Sequence, residues 1–176
     1  KTWRVTSLAA TNAQFKITED PAGANVTNTF TWSVTDNGWT LNRSDLRQER
    51  KIVQEGLAAV APRETSRRSE TLEVSSPGST SIASRVIKTF ATLSLNGNAL
   101  QRTNILVEER SDGRKADGSA ANPDQVTSYF YAATATADGH EKLQRIARSD
   151  GSWNHFEYDS SNRVATAYSA WLDSTP

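Results

Sequence analysis

Alternation between apolar and hydroxyl side chains is the clearest pattern along the chain, and it is strongest over residues 26–34. The even-numbered positions carry the apolar residues Val26, Phe30, Trp32 and Val34. The odd-numbered positions between them carry threonine and serine. Successive side chains of a strand point to opposite faces. The pattern therefore predicts a strand with one apolar and one hydroxyl face.

A tight turn follows this strand. Asn37-Gly38 is a strong hairpin signal, because both residue types tolerate the positive φ of a two-residue hairpin turn, so residues 39–42 are predicted to return as the partner strand. Similar alternation predicts strands at residues 3–8, 15–18, 71–75, 82–95, 103–109, 126–133, 143–148, 153–158 and 163–168. Asp112-Gly113 is predicted to be a turn, and residues 62–69 and 114–124 to be irregular loops.

Residues 46–60 fit this pattern less well. Leu46, Val53, Leu57 and Val60 have a spacing that a helix would place on one side. Gly56 weakens a helix, because glycine is a poor helix former. A short helix and an irregular strand both remain open for this segment. The fold class that we predict is all-β: antiparallel hairpins stacked as repeats or curled into an open shell, with at most one short helix near 46–60.

Composition narrows the function classes. The 176 residues include no cysteine, which excludes a disulfide framework and a thiolate metal site. Twenty basic and 20 acidic side chains give a formal net charge of zero, so we predict no nucleic-acid partner. No apolar run approaches the roughly 18–20 residues that a membrane-spanning helix needs, so we predict no membrane insertion. We interpret residues 1–176 as one β-rich segment.

Two stretches of the sequence resemble each other. Arg-Ser-Asp occurs at residues 43–45, 110–112 and 148–150, each time after a candidate strand. Residues 20–45 and 122–150 share an Asx-Pro turn, a strand, an Asx-Gly turn and a strand that ends in Arg-Ser-Asp. This order of four features indicates two copies of one strand–turn–strand unit.

A longer motif lies near the C-terminus. It begins with Asp150-Gly151, continues through an aromatic strand to Tyr158-Asp159, and ends at Asn162-Arg163-Val164. This stretch resembles the RHS/YD repeat, and a degenerate copy covers residues 20–45. We expect Asp159 to cap the turn, Arg163 to pair with Asp159, and Asn162 to adopt the left-handed conformation that glycine takes without cost.

The resemblance implies a place in a large secreted or cell-surface protein of bacterial type, often associated with a toxin. It implies a non-catalytic scaffold that forms part of a shell, with neighbouring repeats of the same polypeptide as its partners. The motif residues would be Asp150, Gly151, Tyr158, Asp159 and Arg163. We expect this segment to be a piece of a larger protein and to associate through open strand edges.

We predict no enzyme, no cofactor and no metal. His140 and His155 lack a nucleophile elbow nearby and are interpreted as surface or strand histidines. Glu108 and Glu109 are adjacent, so on a strand they face opposite ways and do not form a catalytic pair. An oxygen-rich loop lacks the spacing of a calcium loop and is interpreted as turn capping; its members are Asp112, Asp117, Asn122 and Asp124.

An alternative function is a carbohydrate-binding or adhesive β module. Exposed aromatic side chains stack on sugars, and the candidates are Trp39, Trp153 and Tyr158. Trp39 and Trp153 follow turns and are expected to be exposed. The apolar face, by contrast, is expected to be anchored in the core by Phe30, Trp32, Phe156 and Tyr158.

Overall fold

The computed structural model describes residues 2–8, 12–19, 26–43, 48–61, 63–75, 81–95, 100–113, 124–132 and 141–170. Within these ranges the regular structure is entirely β-strand, and no helix long and apolar enough to cross a bilayer occurs among them. The strands are β1 (Thr2–Leu8), β2 (Asn12–Glu19), β3 (Val26–Ser33), β4 (Gly38–Arg43), β5 (Gln48–Leu57), β6 (Glu64–Ser75), β7 (Ile82–Leu95), β8 (Leu100–Gly113), β9 (Gln125–Tyr131), β10 (Leu143–Arg148), β11 (Trp153–Tyr158) and β12 (Val164–Ser169).

The strands follow one another in an open antiparallel sheet, in which the spatial order from β1 to β12 is the order along the chain. Each strand therefore pairs with its sequence neighbours, as expected when short turns join antiparallel strands. The predicted all-β class is confirmed. Of the two alternatives for residues 46–60, the short helix is wrong, because most of that segment forms strand β5.

The chain divides into two compact units. The first unit comprises Lys1–Glu55, Ser69–Ile87 and Ser111–Pro123. The second unit comprises Gly56–Arg68, Lys88–Arg110 and Asp124–Pro176. The points of division fall within β5, β6, β7 and β8, so each of these strands contributes residues to both units.

In the first unit, the predicted hairpin is present. β3 and β4 place Phe30 opposite Leu41 and Trp32 opposite Trp39, so these four apolar side chains share one face. Asn37 has a φ of 44° and its N–H donates to Val34 O at 3.1 Å, which closes the turn. The Asn-Gly signal therefore located the hairpin correctly. The loop consists of residues 34–37 and not of Asn37-Gly38, because Gly38 already pairs with Ser33 as the first residue of β4.

The second unit contains the buried cluster of the described chain. Ala91, Leu93 and Ile105 from β7 and β8 pack together, with Val107 and Tyr131 against them. The anchors expected from the sequence do not form this cluster, since Phe30, Trp32, Phe156 and Tyr158 are only half-buried. Their apolar faces lie on a sheet, and within the described residues little covers them.

Two predicted irregular segments are strands instead. Residues 64–69 of the predicted loop belong to β6, where Glu64 and Arg67 pair with each other and satisfy their charges. Asp112-Gly113 is not a turn but the end of β8, where Asp112 lies 3.5 Å from Arg85 of β7. Polar residues within these strands are stabilised by ion pairs that the alternation pattern does not reveal. Residues 114–123 of the second predicted loop lie outside the described ranges.

Replacing Gly38 with alanine is expected to destabilise the first unit by about 2 kcal/mol, because a Cβ there overlaps the backbone carbonyl of Lys51. Gly56→Ala is the comparison, since its Cβ meets nothing within 4 Å and costs only the backbone strain of φ +69°, about 1 kcal/mol. Urea unfolding of both variants measures the two losses. A smaller loss for Gly38→Ala than for Gly56→Ala contradicts the prediction.

Candidate functional site

The motif near the C-terminus forms the β11–β12 hairpin, and Asp159 organises its turn. Oδ1 of Asp159 accepts the N–H of Ser161 at 2.9 Å and the N–H of Arg163 at 3.0 Å. Oδ2 accepts Nε of Arg163 at 3.0 Å, and Nη2 of Arg163 lies 2.9 Å from the same oxygen. One carboxylate thus holds two backbone donors and one guanidinium, which confirms the expected cap and ion pair.

The backbone of the turn is closed from both sides. Asp159 donates its N–H to Arg163 O at 2.9 Å, and Asn162 donates its N–H to Asp159 O at 2.8 Å. Asn162 has a φ of 59°, the left-handed conformation expected from the motif. Asparagine tolerates this region better than most residues because its short side chain bonds locally.

A related carboxylate begins the hairpin. Oδ1 of Asp150 accepts the N–H of Ser152 at 2.9 Å, while Gly151 has a φ of 85° that favours glycine. The N–H of Gly151 donates to Arg148 O at 3.0 Å. Asp150 and Gly151 therefore shape the turn between β10 and β11.

Both turn carboxyls are stabilised as anions. The backbone N–H of Arg163, followed by its guanidinium, lowers the pKa of Asp159 below its ordinary value. Hydrogen bonds from Ser152 lower the pKa of Asp150 in the same direction. A hydrogen bond to the charged form of a carboxyl favours that form.

Tyr158 connects this hairpin to the strand before it. Its hydroxyl donates to Leu143 O of β10 at 2.7 Å, and burial raises its pKa. The side chain is half-buried. Its hydroxyl is therefore engaged within the sheet, which favours a structural role for Tyr158 over direct contact with a ligand.

The tryptophan candidates lie in different units. Trp39 belongs to the first unit and is 36% exposed. It lines a depression of about 400 Å³ together with Phe30, Leu41, Leu72, Glu49 and Lys51. Lys51 is paired with Glu70 at 2.8 Å, so the depression offers an apolar floor with a charged rim.

Trp153 belongs to the second unit and lies on β11 opposite Ala147. It is half-buried rather than fully exposed. Trp153 and Tyr158 have opposite parity on β11, so they point to opposite faces of the strand. Trp153 and Tyr158 therefore do not form one site.

A cleft of about 340 Å³ in the second unit was not foreseen from the sequence. Its apolar wall includes Leu93, Val107 and Tyr131, and its polar wall includes Glu64 and Arg67. Residues 63–67 were assigned to a loop, and the one sequence signal for the cleft was the Glu–Arg spacing of three residues.

Glu64 is the most enclosed charge of this cleft, with a side chain that is only 3% exposed. Its carboxylate accepts Nε and Nη2 of Arg67 at 2.6 and 2.8 Å, and the N–H groups of Val60 and Ala61 at 2.8 and 3.2 Å. Burial raises the pKa of Glu64, but Arg67 and the two N–H groups outweigh it, so the net pKa is lowered. Glu64 therefore stays ionised at neutral pH and closes the turn before β6, a poor arrangement for a general acid.

The remaining candidates for chemistry are dispersed. Glu108 lies 3.7 Å from Arg110, and Glu109 lies 3.2 Å from Lys88, so each has its own cation. His155 is half-buried on β11, whereas His140 lies outside the described residues. In the described ranges, His, Asp and Glu form no group of three that could hold a metal ion. Of the oxygen-rich loop, Asp117 and Asn122 also lie outside these ranges.

Comparisons with models of known protein families, with curated proteins and with solved structures find no match to this chain. The function is therefore argued from the geometry of the hairpins, the exposed aromatic side chains and the strand edges.

Replacing Asp159 with asparagine is expected to lower the melting temperature at pH 7 and to flatten its decline in acid. Because the folded pKa of Asp159 is lowered, its stabilisation is fully present above the ordinary value, about 3.9, and is lost as the pH falls through the folded pKa. Melting temperatures between pH 7 and pH 2 measure the effect.

The matched control is Asp124→Asn, which removes another exposed carboxylate of the same unit. It is expected to retain the acid decline of the unmodified chain. An equal decline in acid for Asp159→Asn and the unmodified chain refutes the role of the Asp159–Arg163 pair.

Proposed function

We propose that this chain is a scaffold segment of a larger secreted or surface protein of the RHS type, and that neighbouring repeats of the same polypeptide continue its sheet. The observation that carries the proposal is the β11–β12 hairpin, in which Asp159, Asn162 and Arg163 take the roles expected from the repeat motif. Such a turn specifies a hairpin without contributing any reactive group.

The distribution of burial supports a scaffold. In the described part of the chain, the buried hydrophobic residues are few, and two of the four are alanines; they are Ala91, Leu93, Ile105 and Ala132. Large apolar side chains such as Phe30 and Phe156 are only half-buried. A sheet with half-covered apolar faces gains stability when further strands or a second layer cover them.

The edge strand β12 supports the same proposal. All six of its side chains are exposed, and within the described residues it pairs only with β11. Tyr168 lies opposite His155 and Ala167 lies opposite Phe156. An unpaired strand edge presents backbone donors and acceptors to another strand.

The outward donors of β12 follow from the register. The N–H of Ala170 donates to Trp153 O at 3.1 Å, so this pair exchanges the ladder bonds. Bonded and non-bonded pairs alternate along an antiparallel ladder. The N–H of Ala167, three positions earlier, therefore points away from β11 and toward the open edge.

Self-association of the chain at high concentration is expected to require this edge. Ala167→Pro removes the outward N–H but spares the ladder to β11, as proline is tolerated on edge strands. Ala167→Ser keeps the N–H and is the control. Sedimentation velocity is expected to show association for the unmodified chain and Ala167→Ser, and a monomer for Ala167→Pro. A monomeric unmodified chain at high concentration contradicts the scaffold proposal.

A second candidate function is glycan binding in the first unit, and the depression around Trp39 favours it. The indole is 36% exposed above Phe30 and Leu41, while Glu49 and Lys51 stand at the rim. A flat aromatic surface with polar groups beside it suits the apolar face of a neutral sugar ring.

Trp39→Ala is expected to weaken binding of a neutral oligosaccharide such as cellohexaose at least tenfold, because the stacking surface is lost. Trp153→Ala, in the other unit, is the matched control and is expected to leave binding unchanged. Isothermal titration measures both, with circular dichroism to verify the fold. Unchanged binding in Trp39→Ala, or no binding by the unmodified chain, rules out this candidate.

A further inference from the structure

Four side chains of the second unit lie in one row across four strands. Phe130 of β9 is opposite Arg145 of β10, Arg145 is opposite His155 of β11, and His155 is opposite Tyr168 of β12. Directly opposite residues of antiparallel strands share a face. With strands 4.7–4.9 Å apart, the row is about 14 Å long.

Each end of the row is a pair of side chains in contact, and the outer residue of each pair is exposed to solvent. The Arg145 guanidinium carbon lies 4.1 Å from the centroid of the Phe130 ring, and the rings of His155 and Tyr168 have centroids 6.1 Å apart with a tilt of 50°. Phe130 is 40% exposed and Tyr168 is 45% exposed. Two large aromatic side chains thus stand at the ends, and a cation and an imidazole stand between them.

Arg145 differs from the six described arginines that form ion pairs. Within the described residues no carboxylate lies at ion-pair distance from it, and its guanidinium lies over the ring of Phe130. The arginines that do pair with a carboxylate are Arg50, Arg67, Arg85, Arg102, Arg110 and Arg163. A guanidinium that is held in a plane by an aromatic ring keeps its N–H edges available for an anion.

We propose that this row binds an oligosaccharide that carries a carboxylate, such as a chain of uronic acid sugars. The guanidinium of Arg145 would hold the sugar carboxylate through two parallel hydrogen bonds. Phe130 and Tyr168 would stack against the sugar rings on either side, and His155 would add a ring nitrogen for a hydroxyl. The inference does not depend on the scaffold proposal or on Trp39.

Charge favours an acidic sugar over a single-stranded nucleic acid. A nucleic acid carries a phosphate at every nucleotide and binds to tracks of several basic residues. The row contains one guanidinium, and Glu157 lies beside its end, where Oε2 accepts the hydroxyl of Tyr168 at 3.1 Å. One cation flanked by a carboxylate matches a ligand with sparse negative charge.

The first experiment compares two ligands on the unmodified chain. Trigalacturonic acid and its full methyl ester have the same rings, but only the acid carries carboxylates. Titration of the ¹⁵N-labelled chain is expected to shift amide signals of β9–β12 with the acid and to show at least tenfold weaker binding of the ester. Equal binding of both ligands, or no binding of the acid, overturns the proposal.

The second experiment uses variants of the row. Arg145→Gln is expected to weaken binding of trigalacturonic acid at least tenfold. The affinity of Arg145→Lys is expected to lie between those of the unmodified chain and Arg145→Gln, since lysine keeps the charge but loses the planar fork. Lys142→Gln removes an exposed cation of the same unit outside the row and is expected to bind as the unmodified chain does. Unchanged affinity in Arg145→Gln overturns the proposal.

A ten-residue oligothymidylate tests the alternative ligand class. Tighter binding of this strand than of trigalacturonic acid, lost in Arg145→Gln, would assign the row to nucleic acid and overturn the proposal. The ester comparison uses only the unmodified chain, so its result stands even if a variant fails to fold.

Discussion

The pairing of a turn carboxylate with an arginine is the interaction on which three of the described hairpins depend. In the β11–β12 turn, Asp159 holds backbone N–H groups and the Arg163 guanidinium at once. Before β6, Glu64 does the same with Arg67. In the β3–β4 turn, Asp36 accepts Nε and Nη2 of Arg50 at 2.9 and 2.7 Å. Hairpin turns leave backbone donors without ladder partners. Asp159 and Glu64 satisfy such donors, and in all three turns the arginine offsets the charge of the carboxylate.

This device suits a chain whose described residues include few buried apolar side chains. A sheet with few buried side chains gains a modest hydrophobic stabilisation, so the specificity of its register has to come from elsewhere. The turns supply it, because each one sets which residues face each other across the strands. The row of Phe130, Arg145, His155 and Tyr168 exists only because the register of β9–β12 aligns these four positions.

The sequence predicted local features well and cross-strand features poorly. Asn37-Gly38 and Asp159–Arg163 are signals within a few residues. The first located its hairpin, and the second also predicted the contacts of its turn correctly. The strand character of residues 64–69 depends on where their charges find partners, and alternation does not report this. The buried cluster was missed for a similar reason, since Ala91 and Ile105 are brought together by the pairing of two long strands. The anchors were instead sought among the aromatic residues Phe30, Trp32, Phe156 and Tyr158, which are half-buried.

The same limit applies to the candidate sites. Trp39 could be named as a candidate for ligand binding from its residue type and its place after a turn. Arg145 could be named as a candidate only once the register of four strands was known. A single arginine in a strand is unremarkable in sequence, and its stacking on Phe130 is a property of the sheet.

The β11–β12 turn also separates residues that specify the backbone from residues that do not. Asp159, Asn162 and Arg163 determine its conformation, while Ser160 and Ser161 are exposed and contribute only their backbone. The side chains of these two serines are thus free to diverge without loss of the hairpin. Positions 160 and 161 can therefore carry different side chains, through evolution or by design, while other residues hold the backbone of the turn.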